Sequence, residues 1–174
     1  MRLLQKQKLI TISLLLLINI GYAQTKLPID DAGKIKFDSI VNVDSIQANQ
    51  LYNRALYWFG KYFTSPKDAI KMQIPENHTI IANGITSLEW PMILGSTKSK
   101  LGFKITIACK DNKYRYTIED LEYYDNNYKA YPSLITTAAT AKTKGAEKAR
   151  QNIAFSIDDI LTGLNKEMTK TETW

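Results

Sequence analysis

The chain of 174 residues holds a single histidine and a single cysteine, so nucleophilic or soft-metal chemistry would have to be built around His78 or Cys109. A Ser/His/Asp or Cys/His site needs an imidazole within reach of a nucleophile and a carboxylate to orient it. His78 falls in or beside a turn behind Pro75-Glu76-Asn77, and Cys109 ends a different strand with no motif around it. An exposed turn histidine and a buried thiol are therefore expected. One Cys and one His cannot assemble the usual zinc sets, and no D-x-D-x-D-G loop offers a calcium site. No metal and no cofactor is expected.

Four carboxylates cluster at Glu119, Asp120, Glu122 and Asp125. A glycosidase-type pair requires two such groups facing one cleft at a set separation. The plainer expectation is a solvated strand end opposite nearby lysines, and a hydrolase built on these acids is the weakest reading. Gly95-Ser96-Thr97-Lys98-Ser99 lacks the G-x-x-x-x-G-K-[ST] spacing of a phosphate loop, and no helical pattern follows it. The tyrosines at 114, 116, 123, 124, 128 and 131, with Trp90, form an aromatic-rich set able to stack on a sugar ring or a peptide. Tyr114 and Tyr116 share parity with Ile118 and belong to the core. Asn77-His78-Thr79 matches an N-glycosylation acceptor, and Asp38-Ser39-Ile40 and Asp44-Ser45-Ile46 match a short O-glycosylation pattern.

The elements that must position these residues follow from hydrophobic period. Residues 35–43 alternate as a half-buried strand. Asp44 or Ser45 then caps a helix over about 46–63, with Leu51, Ala55, Trp58, Phe59 and Tyr62 on one face. Thr64-Ser65-Pro66 stops it. Residues 70–74 alternate, Pro75-Glu76-Asn77 turns, and Thr79 to Trp90 forms a third strand in which Gly84 marks a bulge. Pro91 to Lys100 reads as a loop. Residues 101–109 and 114–118 make the clearest hairpin, and the apolar phase slips near Glu119-Asp120, which predicts either a bulge or the end of the strand there. Residues 124–144 give no clear element. From about 146 one apolar face runs through Ala149, Ile153, Ile157, Ile160, Leu164 and Met168 as a closing helix. The expected class is a two-layer α+β domain of order β-α-β-β-β-β-α, an antiparallel sheet of about five strands with two helices on one face.

The address lies in the first residues. Arg2, Lys6 and Lys8 precede an aliphatic run from Leu9 to Ile20, and Tyr22-Ala23 then leads into Gln24. This is the pattern of a secretory signal peptide cleaved between Ala23 and Gln24. The apolar run is about a dozen residues where a membrane-spanning helix needs ~20, so no anchor is expected after cleavage. A single domain over 24–168 with a short polar tail at 169–174 is expected, of a size that buries its own core. The leader carries half of the net charge of +6. What remains is too mild to imply nucleic acid. One cysteine allows no internal disulfide.

Several phrases, in order and spacing, resemble a family of secreted bacterial domains of unknown function with a TATA-binding-protein-like fold. They are Leu27-Pro28-Ile29-Asp30 with Gly33-Lys34-Ile35, Leu51-Tyr52-Asn53-Arg54-Ala55 with Trp58-Phe59, and Ser65-Pro66-Lys67-Asp68-Ala69-Ile70. The hairpin from Lys110 to Tyr116 and the final Trp174 complete the set. The resemblance implies the fold and the secreted address, and carries no catalytic residues. The family tends to have several alternating glycines in its third strand, where this chain has only Gly84. The name of the fold does not imply DNA binding.

With helices on one face only, the other sheet face should collect Lys71, Asn83, Lys104, Thr106, Arg115 and Thr117, a polar surface suited to an anionic group. The functional expectation is a secreted, periplasmic, non-catalytic binding or accessory module of the cell envelope, monomeric, with an unidentified envelope ligand or protein as partner. A second expectation is a structural interaction protein that uses a sheet edge or docks through Met92-Ile93-Leu94.

Overall fold

The computed structural model describes residues 25–170. The cleavage site at Ala23 and Gln24, the leader before it and Trp174 lie outside the described residues.

Strand β1 (Phe37–Asn42) is followed by helix α1 (Ala48–Tyr62), the one-turn helix α2 (Pro66–Ala69) and strand β2 (Ile70–Ile74). Strands β3 (Thr79–Met92), β4 (Gly95–Lys110) and β5 (Lys113–Tyr124) form a long meander. Helices α3 (Pro132–Thr140) and α4 (Lys144–Met168) close the chain. All five strands join one antiparallel sheet in the order β1-β5-β4-β3-β2. The α+β class is as expected, with α2 and α3 added.

One side chain in two drives the layering. Ile80, Ala82, Leu88, Leu101, Ile105, Ile107, Tyr114 and Ile118 are buried on one face of the sheet, as the period of two requires. Leu51, Ala55, Trp58 and Phe59 of α1 and Ile153, Ile157, Ile160 and Leu164 of α4 pack into the same cluster at helical spacing. Lys104, Thr106, Arg115 and Thr117 alternate with that core and face away from it.

Four expectations need correction. The α1 cap is Gln47, not Asp44 or Ser45, because the first orphan amide there, Ala48 N–H, donates to Asp111 Oδ1 at 2.9 Å from the turn between β4 and β5. Gly84 is no bulge: β3 and β4 stay in register throughout, with Gly84 opposite Phe103. It is glycine because a Cβ there would lie 2.4 Å from the Phe103 ring and 2.6 Å from that of Phe63. The 91–100 loop is instead the end of a hairpin paired as far as Met92 and Gly95. The core continues into it, since Ser99 Oγ donates to Leu88 O at 2.8 Å and Trp90 meets Tyr123 edge-on at 4.7 Å. Within 124–144, Asp125 Oδ1 accepts the amides of Asn127 and Lys129 to close a turn, and Pro132 opens α3 at its first turn, where a missing N–H costs nothing. The bulge near Glu119-Asp120 is present: the pairing slips between Gly102 and Lys104, and Asp120 takes φ 53°.

Candidate functional site

Strand β1 pairs with β5 only from Lys113 to Ile118. Beyond it β5 bulges, and Gly84 and Gly102 in β3 and β4 let the rings of Phe63, Phe103 and Tyr124 approach the sheet. An open cleft of about 870 Å³ occupies this part of the molecule. Its polar lining comes from Asp68, Lys71, Asn83, Lys104, Asp120, Glu122 and Tyr124, its apolar lining from Phe63, Phe103, Leu121 and Ile135.

Three of the six residues expected on the polar face line this cleft, and three do not. Lys71 sits where β2 slips against β3, its Nζ donating to Asp68 O at 2.6 Å. Asn83 lies opposite Lys104 in the β3–β4 ladder. Lys104 Nζ makes ion pairs with Glu119 at 2.8 Å and Asp120 at 3.2 Å. Hydrogen bonds that it donates to Glu119 and Asp120 raise its pKa above the ordinary lysine value. Arg115 and Thr117 are bound to β1: the guanidinium holds Asp38 through two bonds of 2.8 and 2.7 Å, and Thr117 Oγ1 donates to Asp38 at 2.8 Å. The Arg115 hydrogen bond is the main cause that lowers the Asp38 pKa. Thr106 is half-buried on the same face, opposite Thr117.

The family profile that fits this sequence is "Domain of unknown function (DUF4468) with TBP-like fold", and it matches residues 37–124, from β1 to the end of β5. The chain belongs to the DUF4468 family. Two crystal structures are similar to this DUF4468 protein. One, of a DUF4468 family protein from Bacteroides ovatus, has a TM-score of 0.67 at 19% identity, covering 85% of this chain and 93% of the other. The second, of a TBP-like protein from Parabacteroides distasonis, has a TM-score of 0.67 at 18% identity, covering 84% and 99%. At these identities the likeness is one of fold. No curated protein matches the chain.

The acidic cluster of the DUF4468 domain is divided among separate partners. Glu119 pairs with Lys104 and, at 3.7 Å, with Lys36. Asp120 takes the other side of Lys104, Glu122 accepts from Tyr124 O–H, and Asp125 serves its own turn. The backbone amide of Lys129 is the largest cause holding the Asp125 pKa below the ordinary aspartate value. Only Asp120 and Glu122 of the four reach the cleft.

His78 and Cys109, far apart in the reading of the sequence, are neighbours. Thr79 pairs with Ala108, and Cys109 N–H donates to His78 O at 3.0 Å. The contact is through backbone. The thiol is buried, and burial pushes its pKa up to about 12, so it is not the thiolate a nucleophile requires. His78 holds a left-handed turn at φ 48° with its ring edge-on to Tyr52 at 6.0 Å.

Sequence reading did not place Tyr124 in the site. Its ring lies over Gly102, where a Cβ would come within 2.6 Å. The signal was Gly102 inside an otherwise regular apolar alternation, since glycine in a strand marks close approach by another group.

Proposed function

We propose that this DUF4468 protein is an exported, non-catalytic binding module of the cell envelope, and that it takes its ligand in the cleft between β2 and the bulged end of β5. The observation that carries this reading is the lining itself. Lys34, Lys71 and Lys104 line one opening together with Asp68, Asp120, Glu122 and Tyr124. Fixed groups of both signs next to an aromatic face suit a neutral or zwitterionic polar ligand that donates and accepts hydrogen bonds. A bare anion would have to compete with Glu119 and Asp120 for Lys104, so the balance of charge favours the polar ligand over the anionic one. The basic leader and apolar run of residues 2–20 support export.

Native mass spectrometry on mature protein exported to a bacterial periplasm tests the proposal. The expected result is an adduct that disappears on denaturation and is lost in a Lys71→Ala, Asn83→Ala double variant that keeps its melting temperature. A bare polypeptide mass, or an adduct retained by the variant, would remove the cleft from consideration. Strand addition is less favoured along the outer half of β3, because Asn152 and Ser156 of α4 already donate to the carbonyls of Glu89 and Ser87 at 2.7 and 3.0 Å.

A further inference from the structure

The tip of the β3–β4 hairpin holds large aliphatic side chains in water. Ile93 is 100% and Leu94 95% exposed, and Met92 beside them is 59% exposed. Turn geometry does not call for them. The left-handed position falls on Gly95 at φ 102°, and short hairpin loops are ordinarily filled by Asn, Asp or Gly. Polar residues would close this hairpin equally well, so the fold supplies no reason for an Ile-Leu tip.

We propose that the tip inserts into the headgroup region of an anionic phospholipid membrane. Trp90 lies two residues before Met92, half-buried against Tyr123, and Trp is favoured at the level where headgroups meet acyl chains. Lysines lie on the elements beside the tip. Ser156 donates to Ser87 O and Asn152 to Glu89 O. Four residues of helix advance about 6 Å while two of strand advance about 6.7 Å, so α4 and β3 run in step toward the tip. Two further turns along α4 in that direction carry Lys148 and Lys144, and Lys98 lies on β4 close behind the tip, opposite Glu89. None of these three lysines makes an ion pair among the described residues. Exposed apolar side chains with two lysines on the adjoining helix end and a third on β4 match an anionic lipid surface.

The chain joins the fold on the same side. Thr25 N–H donates to Glu147 Oε1 at 2.9 Å, on the first turn of α4. The apolar run Leu9 to Ile20 ends only four residues before Gln24-Thr25, a separation of at most about 18 Å in extended chain. The chain thus enters the described fold beside the first turn of α4, the end that carries Lys144 and Lys148.

Flotation of the mature protein with vesicles of phosphatidylethanolamine and phosphatidylglycerol tests the proposal, with phosphatidylcholine vesicles as reference. The expected result is co-flotation with the anionic vesicles that weakens as salt is raised. An Ile93→Asp, Leu94→Asp variant should float about tenfold less or worse with an unchanged melting temperature, since neither side chain packs on the core. A dye on Ile93→Cys, selective because Cys109 is buried, should shift to the blue on vesicle binding. Absence of flotation by the parent protein, equal flotation of the tip variant, or a dimer that the tip variant abolishes would each overturn the proposal. Failure of the cleft experiment would leave it standing, because the tip and the cleft share no residue.

Discussion

On the helix side of β4, Leu101, Ile105 and Ile107 are fully buried and Phe103 and Cys109 are 3% exposed. On the opposite side of the same strand, Lys104 and Thr106 are held by neighbours across the ladder, an ion pair to Glu119 and a register partner in Thr117. The two sides differ in how easily a residue can be replaced. A buried aliphatic group interlocks with several elements and leaves a cavity when removed. A half-exposed ion pair can exchange its partner for water.

Substitutions at matched positions break or sharpen that contrast. Ile105→Ala should cost about 2–5 kcal/mol, read as a lower urea midpoint, and it should speed labelling of Cys109, whose thiol is otherwise unreactive. Gly84→Ala should cost about 1–3 kcal/mol, because the added methyl must displace the rings of Phe103 and Phe63. Equal stability of Gly84→Ala and the parent would mean that those rings shift freely.

On the other face, Arg115→Ala should lower the urea midpoint only slightly at neutral pH, since an exposed ion pair is screened by solvent, with a characteristic acid dependence. Arg115 lowers the Asp38 pKa in the folded state, so the contribution is present above the ordinary aspartate value of 3.8. It is lost as pH falls through the lower folded value. Urea midpoints of parent and variant should therefore converge in acid, and a constant gap would assign the effect to packing of the Arg115 stem. The smallest effect is expected for Lys104→Met, within about 0.5 kcal/mol, since Glu119 keeps Lys36 as a partner.

The same contrast explains what could be read from sequence. Between Leu101 and Ile118 one face is covered and the other wet, so apolar and polar residues alternate and the hairpin, its turn and the Glu119-Asp120 slip were all legible. At Met92, Ile93 and Leu94 the hairpin leaves the core, and Ile93 and Leu94 meet solvent on all sides. No alternation survives there, and the segment read as a loop. Helix α3 was hidden for another reason: Pro132-Ser133-Leu134-Ile135-Thr136-Thr137 is short and β-branched, and it is helical because Ile135 and Ala138 are buried in the core. The Asp111 cap of α1 and the aromatic contacts at Gly84 and Gly102 join residues distant in the chain, which local pattern does not record. Of the site, parity placed Asn83 and Lys104 on one face. It could not show that Arg115 was already committed to Asp38.

The hydrogen bonds from Asn152 and Ser156 to the edge of β3 have a consequence in time. The meander of β3, β4 and β5 is complete in the chain some twenty residues before α4 begins. Until α4 docks, the carbonyls of Ser87 and Glu89 face outward, and the half of β3 beyond Ala82 has no β2 beside it. A chain whose last helix has not yet docked therefore carries an open strand edge, and α4 closes it from within the same molecule.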